Sequence, residues 1–243
     1  DVLIGSTPLW FGGEFLKNFT TVLTQGLKAA GGIPVWVMMA NSLVMALGIA
    51  IGKIAISITA AYAIVYFRFP GRELCFVLIF ITLMMPVEVR IVPTFQVAAN
   101  LNFIDSYLGL VLPLIASATA TFLYRQMFMT IPAELLEAAR IDGAGPWRFF
   151  VDVVLPLSRT NTAALFVVLF IYGWNQYLWP LLVTTQESMY TIVMGIQRMV
   201  NIPDAVPEWN LIMAVALLGM LPPLLVVLGM QKLFVRGLVE TEK

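Results

Sequence analysis

The sequence predicts an all-α fold, a bundle of helices that crosses a lipid bilayer several times. Of the 243 residues, 60% are hydrophobic and only 12% are charged, and the mean hydropathy is +0.90. Soluble domains are usually about half apolar and about a quarter charged. So few charged groups cannot cover a water-exposed surface of this size, whereas lipid stabilises an apolar one. Several apolar runs also exceed the roughly 20 residues that a spanning helix needs.

The composition excludes several functional classes. The formal net charge is zero, so electrostatics give no reason to expect binding to nucleic acid. The sequence has no histidine, which excludes histidine-based zinc sites, histidine general bases and serine–histidine triads. The single cysteine, Cys75, cannot form an intrachain disulfide. The 13 methionines are typical of adaptable packing rather than of a metal pathway, so no metal site is predicted.

The chain divides into an extracytoplasmic interfacial segment, residues 1–33, and a membrane domain, residues 34–243. The segment is mixed in character, with glycine breaks and one moderately amphipathic stretch. The spans predicted in the membrane domain are 34–67, 74–99, 107–128, 161–183 and 209–234. Pro86 and Pro93 interrupt the second of them, and Pro113 lies near the start of the third.

The first span contains a GxxxG pattern at Gly48 and Gly52, which lets another helix approach closely. Together with Lys53 the pattern half-resembles a phosphate-binding loop. It lacks one spacer residue and the Ser or Thr after the lysine, and it lies in the middle of a helix. We therefore do not expect this chain to bind ATP.

Loop charges predict the orientation of the spans. Basic residues on one side are Arg68, Arg72, Arg125, Arg140, Arg148, Arg159, Lys232 and Arg236, and those on the other are only Lys17, Lys28 and Arg198. The positive-inside rule places the larger set, and with it the C-terminus, in the cytoplasm. Aromatic residues expected to form a belt at the outer interface are Trp174, Tyr177, Trp179 and Trp209. Five spans place residue 1 outside, so a sixth helix is expected before it if both native ends are cytoplasmic.

The longest polar stretch between spans, the loop 130–157, is predicted to be a shaped cytoplasmic projection. Pro132 suits the first turn of a helix, and Glu134 and Glu137 place negative charge near the positive end of that helix. Gly143 ends the helix, and a second short helix leads back to the membrane.

This loop resembles the EAA signature of ABC importer permeases, although Val153 stands where the family has isoleucine. Residues that match the signature are Glu137, Ala138, Ala139, Gly143, Leu155 and Pro156. In that family the loop is a coupling helix that docks on an ATP-hydrolysing subunit. The resemblance thus implies an ATPase-coupling role for Glu134, Glu137, Ala138, Ala139, Arg140, Asp142, Gly143, Leu155 and Pro156. An ordinary amphipathic interfacial helix is the alternative, because alanine, leucine and glutamate are common in any helix.

The resemblance extends along most of the chain. Residues 174–180 resemble the WNxxLWP segment of carbohydrate-type permeases, and the stretch between Pro86 and Pro93 lies where that group has a proline-broken helix. Further stretches make the chain most similar to the second permease subunit of sn-glycerol 3-phosphate importers: 80–90, 105–107, 116–122 and 234–239.

The resemblance implies the six-span type I ABC importer permease fold in the bacterial cytoplasmic (inner) membrane, with residues 34–243 as the permease domain. The implied partners are a homologous second permease, an ATPase dimer, an extracytoplasmic substrate-binding protein and membrane lipid. ATP and Mg would be bound by the ATPase subunits, and this chain would hold neither a cofactor nor a catalytic residue.

The expected activity is alternating-access import of sn-glycerol 3-phosphate or a related glycerophosphodiester. A neutral sugar or a polyol is the alternative substrate within the family. A secondary transporter is a more distant alternative, for which inverted repeats are expected but are not convincing in this sequence. A membrane-embedded enzyme would need convergent catalytic groups, which the dispersed acidic residues do not provide.

Ionisable residues inside spans are candidates for the substrate path, because they are costly in lipid. Glu88 and Arg90 lie beside Pro86, where an irregular backbone is expected to line a cavity. Arginine presents a planar donor fork suited to phosphate oxygens, although a pair with an acid or extension to the interface would also explain Arg90. Lys53 is interpreted as an interhelical pair or a lysine that extends to the interface. Further candidates, which helix packing would equally explain, are Asn41, Trp174, Asn175 and Gln176.

Overall fold

A computed structural model describes residues 13–26, 31–82, 85–201 and 206–240, except the side chains of residues 87, 88 and 232–240. Every regular element in these ranges is helical, which confirms the all-α prediction. The helices before the polar loop are α1 (Phe15–Thr24), α2 (Val35–Tyr66), α3 (Arg72–Ile81), α4 (Val87–Asn100), α5 (Tyr107–Val111) and α6 (Ala118–Met129). The remaining helices are α7 (Ala133–Ile141), α8 (Pro146–Phe149), α9 (Leu155–Leu157), α10 (Arg159–Trp174), α11 (Leu178–Val183), α12 (Ile192–Val200) and α13 (Trp209–Glu240). Short 3-10 turns occur at Leu112–Leu114 and Glu187–Met189, and a π turn occurs at Phe150–Val154.

Helix α2 forms the centre of the bundle. Its 32 apolar-rich residues contain no proline, and it ends shortly before Pro70, which disfavours helical geometry in the residue that precedes it. The helix packs against α6 and α10, and α10 packs in turn against α13. Gly173 allows α10 to approach closely, because a Cβ at this position would lie 2.9 Å from the Ala46 Cα.

Two helices are long and apolar enough to cross a membrane without a break, α2 and the part of α13 at Trp209–Gln231. Two bent pairs pass the same test jointly. The segments Tyr107–Leu114 and Ala118–Met129 meet at 49°, and Pro146–Leu157 and Arg159–Trp174 meet at 72°. The described residues therefore hold two candidate spans, or four if each bent pair is one span. The predicted second span corresponds to α3 and α4, which are separate helices of 10 and 14 residues.

Two predicted boundaries are wrong. The span predicted at 161–183 ends as a helix at Trp174, and α11 begins only at Leu178. Pro180 explains this break, because a helix that continued through it would lose the hydrogen bond to the residue 176 carbonyl. Of the two prolines predicted to interrupt the second span, Pro86 lies at the break between α3 and α4, whereas Pro93 lies inside α4. Helix α12 lies between the last two predicted spans, where the sequence predicts no helix.

The GxxxG pattern of α2 permits a close approach, as predicted. A Cβ at Gly48 would lie 2.9 Å from the side chain of Val111, and one at Gly52 would lie 2.5 Å from that of Ile115. The segment that approaches is the bend between α5 and α6 rather than a straight helix. The two glycines therefore allow the bend between α5 and α6 to pack directly against the middle of α2.

Contacts at the two ends of α2 separate the two sides of the molecule. Near its start, Asn41 Nδ2 donates to the carbonyl oxygens of Ser188 and Tyr190 at 2.8 and 3.0 Å. Near its end, the Tyr62 hydroxyl donates to the Pro146 carbonyl at 2.7 Å. At 1.5 Å per residue, Asn41 and Tyr62 are about 32 Å apart along the helix, close to the roughly 30 Å of a bilayer core. The segment that contains Ser188 and Tyr190, called the outer segment below, and the polar loop 130–157 thus lie at opposite ends of α2, as predicted.

The interfacial segment is described only in part. Helix α1 packs on α13 and α2, with Val22 fully buried and Asn210 Nδ2 donating to Asn18 Oδ1 at 3.0 Å. Residues 1–12 and 27–30 of this segment lie outside the described residues.

Candidate functional site

The loop 130–157 folds into helices that meet at a glycine turn. Helix α7 ends in a Schellman motif, in which Ala144 N donates to the Ala139 carbonyl at 2.8 Å and Gly143 N donates to the Arg140 carbonyl at 3.1 Å. Gly143 has a φ of 73°, a left-handed conformation that favours glycine because other residues suffer a Cβ clash there. The prediction that Gly143 ends the first helix is confirmed.

The second half of the projection is fixed to the membrane bundle. Phe149 and Phe150 are buried, and their ring centroids lie 5.2 Å from that of Tyr66 and 4.8 Å from that of Tyr62, respectively. The hydrogen bond from Tyr62 to Pro146 ties the start of α8 to the same end of α2. The second half of the projection is therefore attached directly to the central helix.

The first half of the projection presents most of the predicted coupling residues to solvent. The exposed residues of this set are Glu134, Glu137, Ala138, Arg140, Asp142 and Gly143. Ala139 instead packs inwards beside Leu136. Among the described residues, none of the charged members forms an ion pair. Ile141 and Trp147, which are 86% and 73% exposed, flank the glycine turn and add apolar surface to it.

Leu155 and Pro156 lie apart from this exposed turn. They belong to α9, at the 72° bend where the chain re-enters the bundle. Together with Arg159 they line a cavity of about 560 Å³ that also reaches Met230 of α13. The structure therefore places these two predicted coupling residues at the base of the projection and not on its tip.

Among the substrate-path candidates, Asn41 is buried and its hydrogen bonds are satisfied. Its Nδ2 donates twice to the outer segment, and its Oδ1 accepts a 2.7 Å bond from the Tyr107 hydroxyl. Both amide hydrogens are used, so this side chain joins α2 to α5 and to the outer segment and leaves no donor for a substrate hydroxyl.

The aromatic-belt prediction is wrong for two tryptophans. Trp174 and Trp179 are each only 3% exposed, and their Nε1 atoms donate to the carbonyls of Gly219 and Gly109 at 3.1 and 2.9 Å. They are buried between helices because each indole finds a backbone acceptor there. Tyr177 and Trp209 are exposed, as a belt requires.

Two further substrate-path candidates, Asn175 and Gln176, lie in the break between α10 and α11. Asn175 is exposed, and its side chain forms no hydrogen bond with the described residues. Gln176 is partly buried, and its Nε2 donates to the Tyr172 carbonyl at 3.1 Å.

Arg90 and Gln176 line one cavity, of about 100 Å³, with Lys53 and Tyr172. The wall is completed by residues of α4 and of the two helix breaks, near 113–116 and 176–178. Lys53 is 7% exposed, and its Nζ lies 3.8 Å from the centroid of the Tyr172 ring. The side chain of Glu88, the other ionisable candidate, lies outside the described residues.

Comparisons with known proteins assign the family. Residues 53–240 match the family described as "Binding-protein-dependent transport system inner membrane component". The chain belongs to this family. The matched range includes the whole projection and Arg90. A member of this family is a membrane component of a transport system, and the chain is thus a multi-pass inner-membrane transport subunit.

Individual relatives resemble the chain over its whole length. It is 56% identical over 245 residues to the sn-glycerol-3-phosphate transport system permease protein UgpE of Salmonella typhimurium, covering 100% of this chain and 87% of that one. The protein of the same name in Agrobacterium fabrum is 57% identical over 243 residues, covering 100% and 86%.

A solved structure has the same fold. It is the crystal structure of a bacterial ABC transporter involved in the import of the acidic polysaccharide alginate, with a TM-score of 0.81 and 21% identity, covering 95% of this chain and 84% of that one.

The sequence does not predict that Lys53 and Arg90 line the same cavity. Lys53 lies in α2, Arg90 in α4 and Tyr172 in α10, so no local spacing relates them. The one available signal was the cost of an ionisable residue inside a span, and this cost does not indicate a partner.

Proposed function

We propose that this chain is a permease subunit of an ABC importer that carries sn-glycerol 3-phosphate, or a related glycerophosphodiester, into the bacterial cytoplasm. It forms half of an alternating-access gate, and a homologous permease forms the other half. Two partner ATPase subunits bind and hydrolyse ATP with Mg, and a soluble binding protein delivers the substrate. The observation that supports this substrate is the whole-length similarity to permeases named for sn-glycerol-3-phosphate transport.

The projection supports the coupling part of this proposal. Its exposed tip around Gly143 combines unpaired charges with the apolar side chains of Ile141 and Trp147, which suits docking to another protein. Its base is packed on Tyr62 and Tyr66. An ATP-driven movement of the docked subunit would shift the equilibrium of the bundle if the tip makes different contacts in the two states.

The outer surface supports delivery by a binding protein. The loop that contains Asp105 and the segment from Thr184 onward are joined, because the Asp105 carboxylate accepts hydrogen bonds from the backbone and hydroxyl of Thr185 and, at 2.8 Å, from Gln186 N. Asp105 N also donates to the Val183 carbonyl at 2.9 Å. The two loops therefore form one ordered platform on which a soluble protein can dock.

Transport by the reconstituted complex tests the substrate. The chain is assembled with its partner permease, ATPase subunits and binding protein in vesicles that contain ATP and Mg. We expect uptake of labelled sn-glycerol 3-phosphate, and ATP hydrolysis stimulated by the binding protein loaded with that ester. Stimulation by a neutral sugar or by glycerol, with none by phosphate esters, would contradict the proposal.

Replacement of Gly143 by proline tests the coupling role. Proline fixes φ near −65° and lacks the N–H that bonds to Arg140, so it disrupts the turn. We expect at least a tenfold loss of stimulated ATP hydrolysis or of co-purification with the ATPase. Gly145→Ala is the matched control, because the φ of Gly145 is −71° and a Cβ there meets nothing within 4 Å. Full coupling in Gly143→Pro would exclude this role.

A further inference from the structure

We propose that Lys53 and Arg90 form a two-cation subsite for the phosphoryl group of the transported ester, inside the membrane-spanning part of this chain. This inference rests on the proposed function and extends it, because it assigns to this subunit a contact with the charged part of the substrate. Gln176 lies in the same cavity and is positioned to contact the neighbouring hydroxyls.

The burial of Lys53 without a described counter-charge needs a physical explanation. It lies about halfway along α2 and is 7% exposed, yet no described carboxylate forms an ion pair with it. Its contact is with the face of Tyr172, at 3.8 Å. A cation over an aromatic face is attracted to the ring, but this attraction offsets only part of the cost of charge at this depth. An anion in the cavity would offset the rest.

Arg90 supplies the second cation and a donor geometry that lysine lacks. Its guanidinium carries five donors in a planar fork that matches two phosphate oxygens at once. No described residue accepts a hydrogen bond from that side chain, and Arg90 forms no ion pair in the described ranges. The donors are therefore free on the side chain that lines the cavity.

The backbone around the cavity is also of the kind that lines substrate sites in membranes. Its walls include the bend between α5 and α6 and the break between α10 and α11. Non-helical backbone at membrane depth is tolerated where it borders a cavity or is buried in protein, and interrupted helices form substrate sites in other transporter folds. Gln176 donates its Nε2 to Tyr172, which leaves its Oε1 free to accept from a hydroxyl group.

The charge of the cavity favours a phosphoryl group over a neutral sugar. Two cations and no described acidic side chain line it, so it holds like charges that a phosphate dianion would neutralise. Its volume of about 100 Å³ equals that of roughly three water molecules. This is room for a phosphoryl group.

Uptake by charge-neutral variants tests the subsite. The complete importer, with binding protein and ATPase subunits, is reconstituted in phosphatidylcholine vesicles, and uptake of labelled sn-glycerol 3-phosphate is measured at saturating binding protein. We expect Lys53→Met and Arg90→Gln each to lower uptake at least tenfold. Arg90→Lys keeps the charge and is expected to retain at least a third. The matched controls Lys17→Met and Arg72→Gln remove an exposed and a partly exposed cation outside the cavity, and they are expected to stay within twofold of the unmodified protein.

The outcomes separate the subsite from the proposed function. If the unmodified importer takes up no phosphate ester, the proposed function fails. If it takes up the ester and both variants stay within twofold, the subsite is overturned. Co-purification with the ATPase subunits reports assembly. Should Lys53→Met fail to assemble, Arg90→Gln decides alone, because the Arg90 side chain is exposed and has no described hydrogen-bond or ion-pair partner.

A phospholipid headgroup carries the same phosphate chemistry, and a second experiment distinguishes it from the substrate. Binding of inorganic phosphate to the complex without its binding protein is measured in discs of phosphatidylcholine, with and without phosphatidylglycerol. A substrate subsite predicts binding that Arg90→Gln weakens at least tenfold in both lipids. Loss of phosphate binding when phosphatidylglycerol is added would assign the cations to lipid and overturn the subsite.

Discussion

Three buried polar side chains of the bundle, Asn41, Trp174 and Lys53, differ in how completely their hydrogen bonds are satisfied. Asn41 uses both amide hydrogens and its carbonyl oxygen, and Trp174 uses its one donor. Lys53 has three donors, and no described residue accepts a hydrogen bond from them; its Nζ lies over the aromatic face of Tyr172. The first two therefore stabilise the fold, whereas Lys53 retains the capacity to bind a ligand.

Trp174→Phe is expected to destabilise the protein by about 1–3 kcal/mol, because the Gly219 carbonyl loses its partner inside the bundle. The aromatic ring is kept, so stacking on Phe170, 5.9 Å away between centroids, is retained. The apparent Tm of the purified complex measures the effect. Trp36→Phe is the matched control, since Trp36 is 60% exposed, and an equal shift in both variants would contradict the importance of this bond.

Asp105 is expected to give a pH-dependent contribution to stability. Burial raises the pKa of its carboxyl, but hydrogen bonds from Gln186 and Thr185 outweigh burial and hold the pKa below its ordinary value of 3.8. The folded state therefore favours the carboxylate. This contribution is complete above the ordinary pKa and is lost as pH falls through the lower folded pKa.

Asp105→Asn is expected to lower stability at pH 7 by at most about 1 kcal/mol, because the carboxylate is exposed and solvent screens it. Asparagine tolerates the φ of 53° at this position, so the backbone is retained. Apparent Tm values at pH 7 and at pH values below 4 should show the two proteins converging as the carboxyl is protonated. A difference that is unchanged in acid would contradict this account.

At the scale of the element, the breaks between helices determine where the proposed Lys53–Arg90 subsite lies. Helix α2 is continuous, whereas the chain around it breaks at Pro86, between α5 and α6, and between α10 and α11. The second and third of these breaks line the cavity of Lys53 and Arg90, and helix α4, which follows the first break, forms another part of its wall. Prolines predict that helices are disturbed, but only packing against α2 brings the disturbed stretches together.

Close packing of α10 on α2 predicts opposite effects of alanine at two helical glycines. Gly173→Ala places a Cβ 2.9 Å from the Ala46 Cα, so the helices must separate, and we expect a loss of about 1–3 kcal/mol. At Gly229 in α13 a Cβ meets nothing within 4 Å, and alanine is expected to gain up to about 1 kcal/mol from helix propensity. Thermal unfolding of both variants measures the contrast, which would be absent if the two glycines were equivalent.

At the scale of the whole molecule, α2 connects the two surfaces that the transport cycle needs. Its first part is bonded to the outer segment through Asn41 and its last part to the projection through Tyr62, about 32 Å apart. The cavity of Lys53 lies between them. A movement of the projection can therefore reach both the cavity and the outer surface through one rigid element.

The sidedness of these surfaces can be measured because the chain has a single cysteine. In a Cys75→Ser background, Glu134→Cys places a thiol on the projection and Glu187→Cys places one on the outer segment. Both positions are exposed. We expect an impermeant maleimide to label the first only in inside-out vesicles and the second only in right-side-out vesicles. The reverse pattern would overturn the cytoplasmic assignment of the projection, and Cys75→Ser alone provides the blank.

Local chemistry by itself determined much of this protein. Composition and span length gave the membrane bundle, because lipid is the solvent in which such a surface is stable. Glycine at a helix end gave the turn at Gly143, because the left-handed conformation there favours glycine. The EAA spacing indicated the family that residues 53–240 match.

Tertiary structure decided the contacts between distant segments. Trp174 and Trp179 are buried against backbone acceptors that no local sequence pattern predicts. Leu155 and Pro156 lie at the base of the projection rather than at its tip. The tertiary structure also brought Lys53 and Arg90 to one cavity. Helix periodicity fixes which face a side chain occupies, but only the packing of α2 with its neighbours fixes what that face meets.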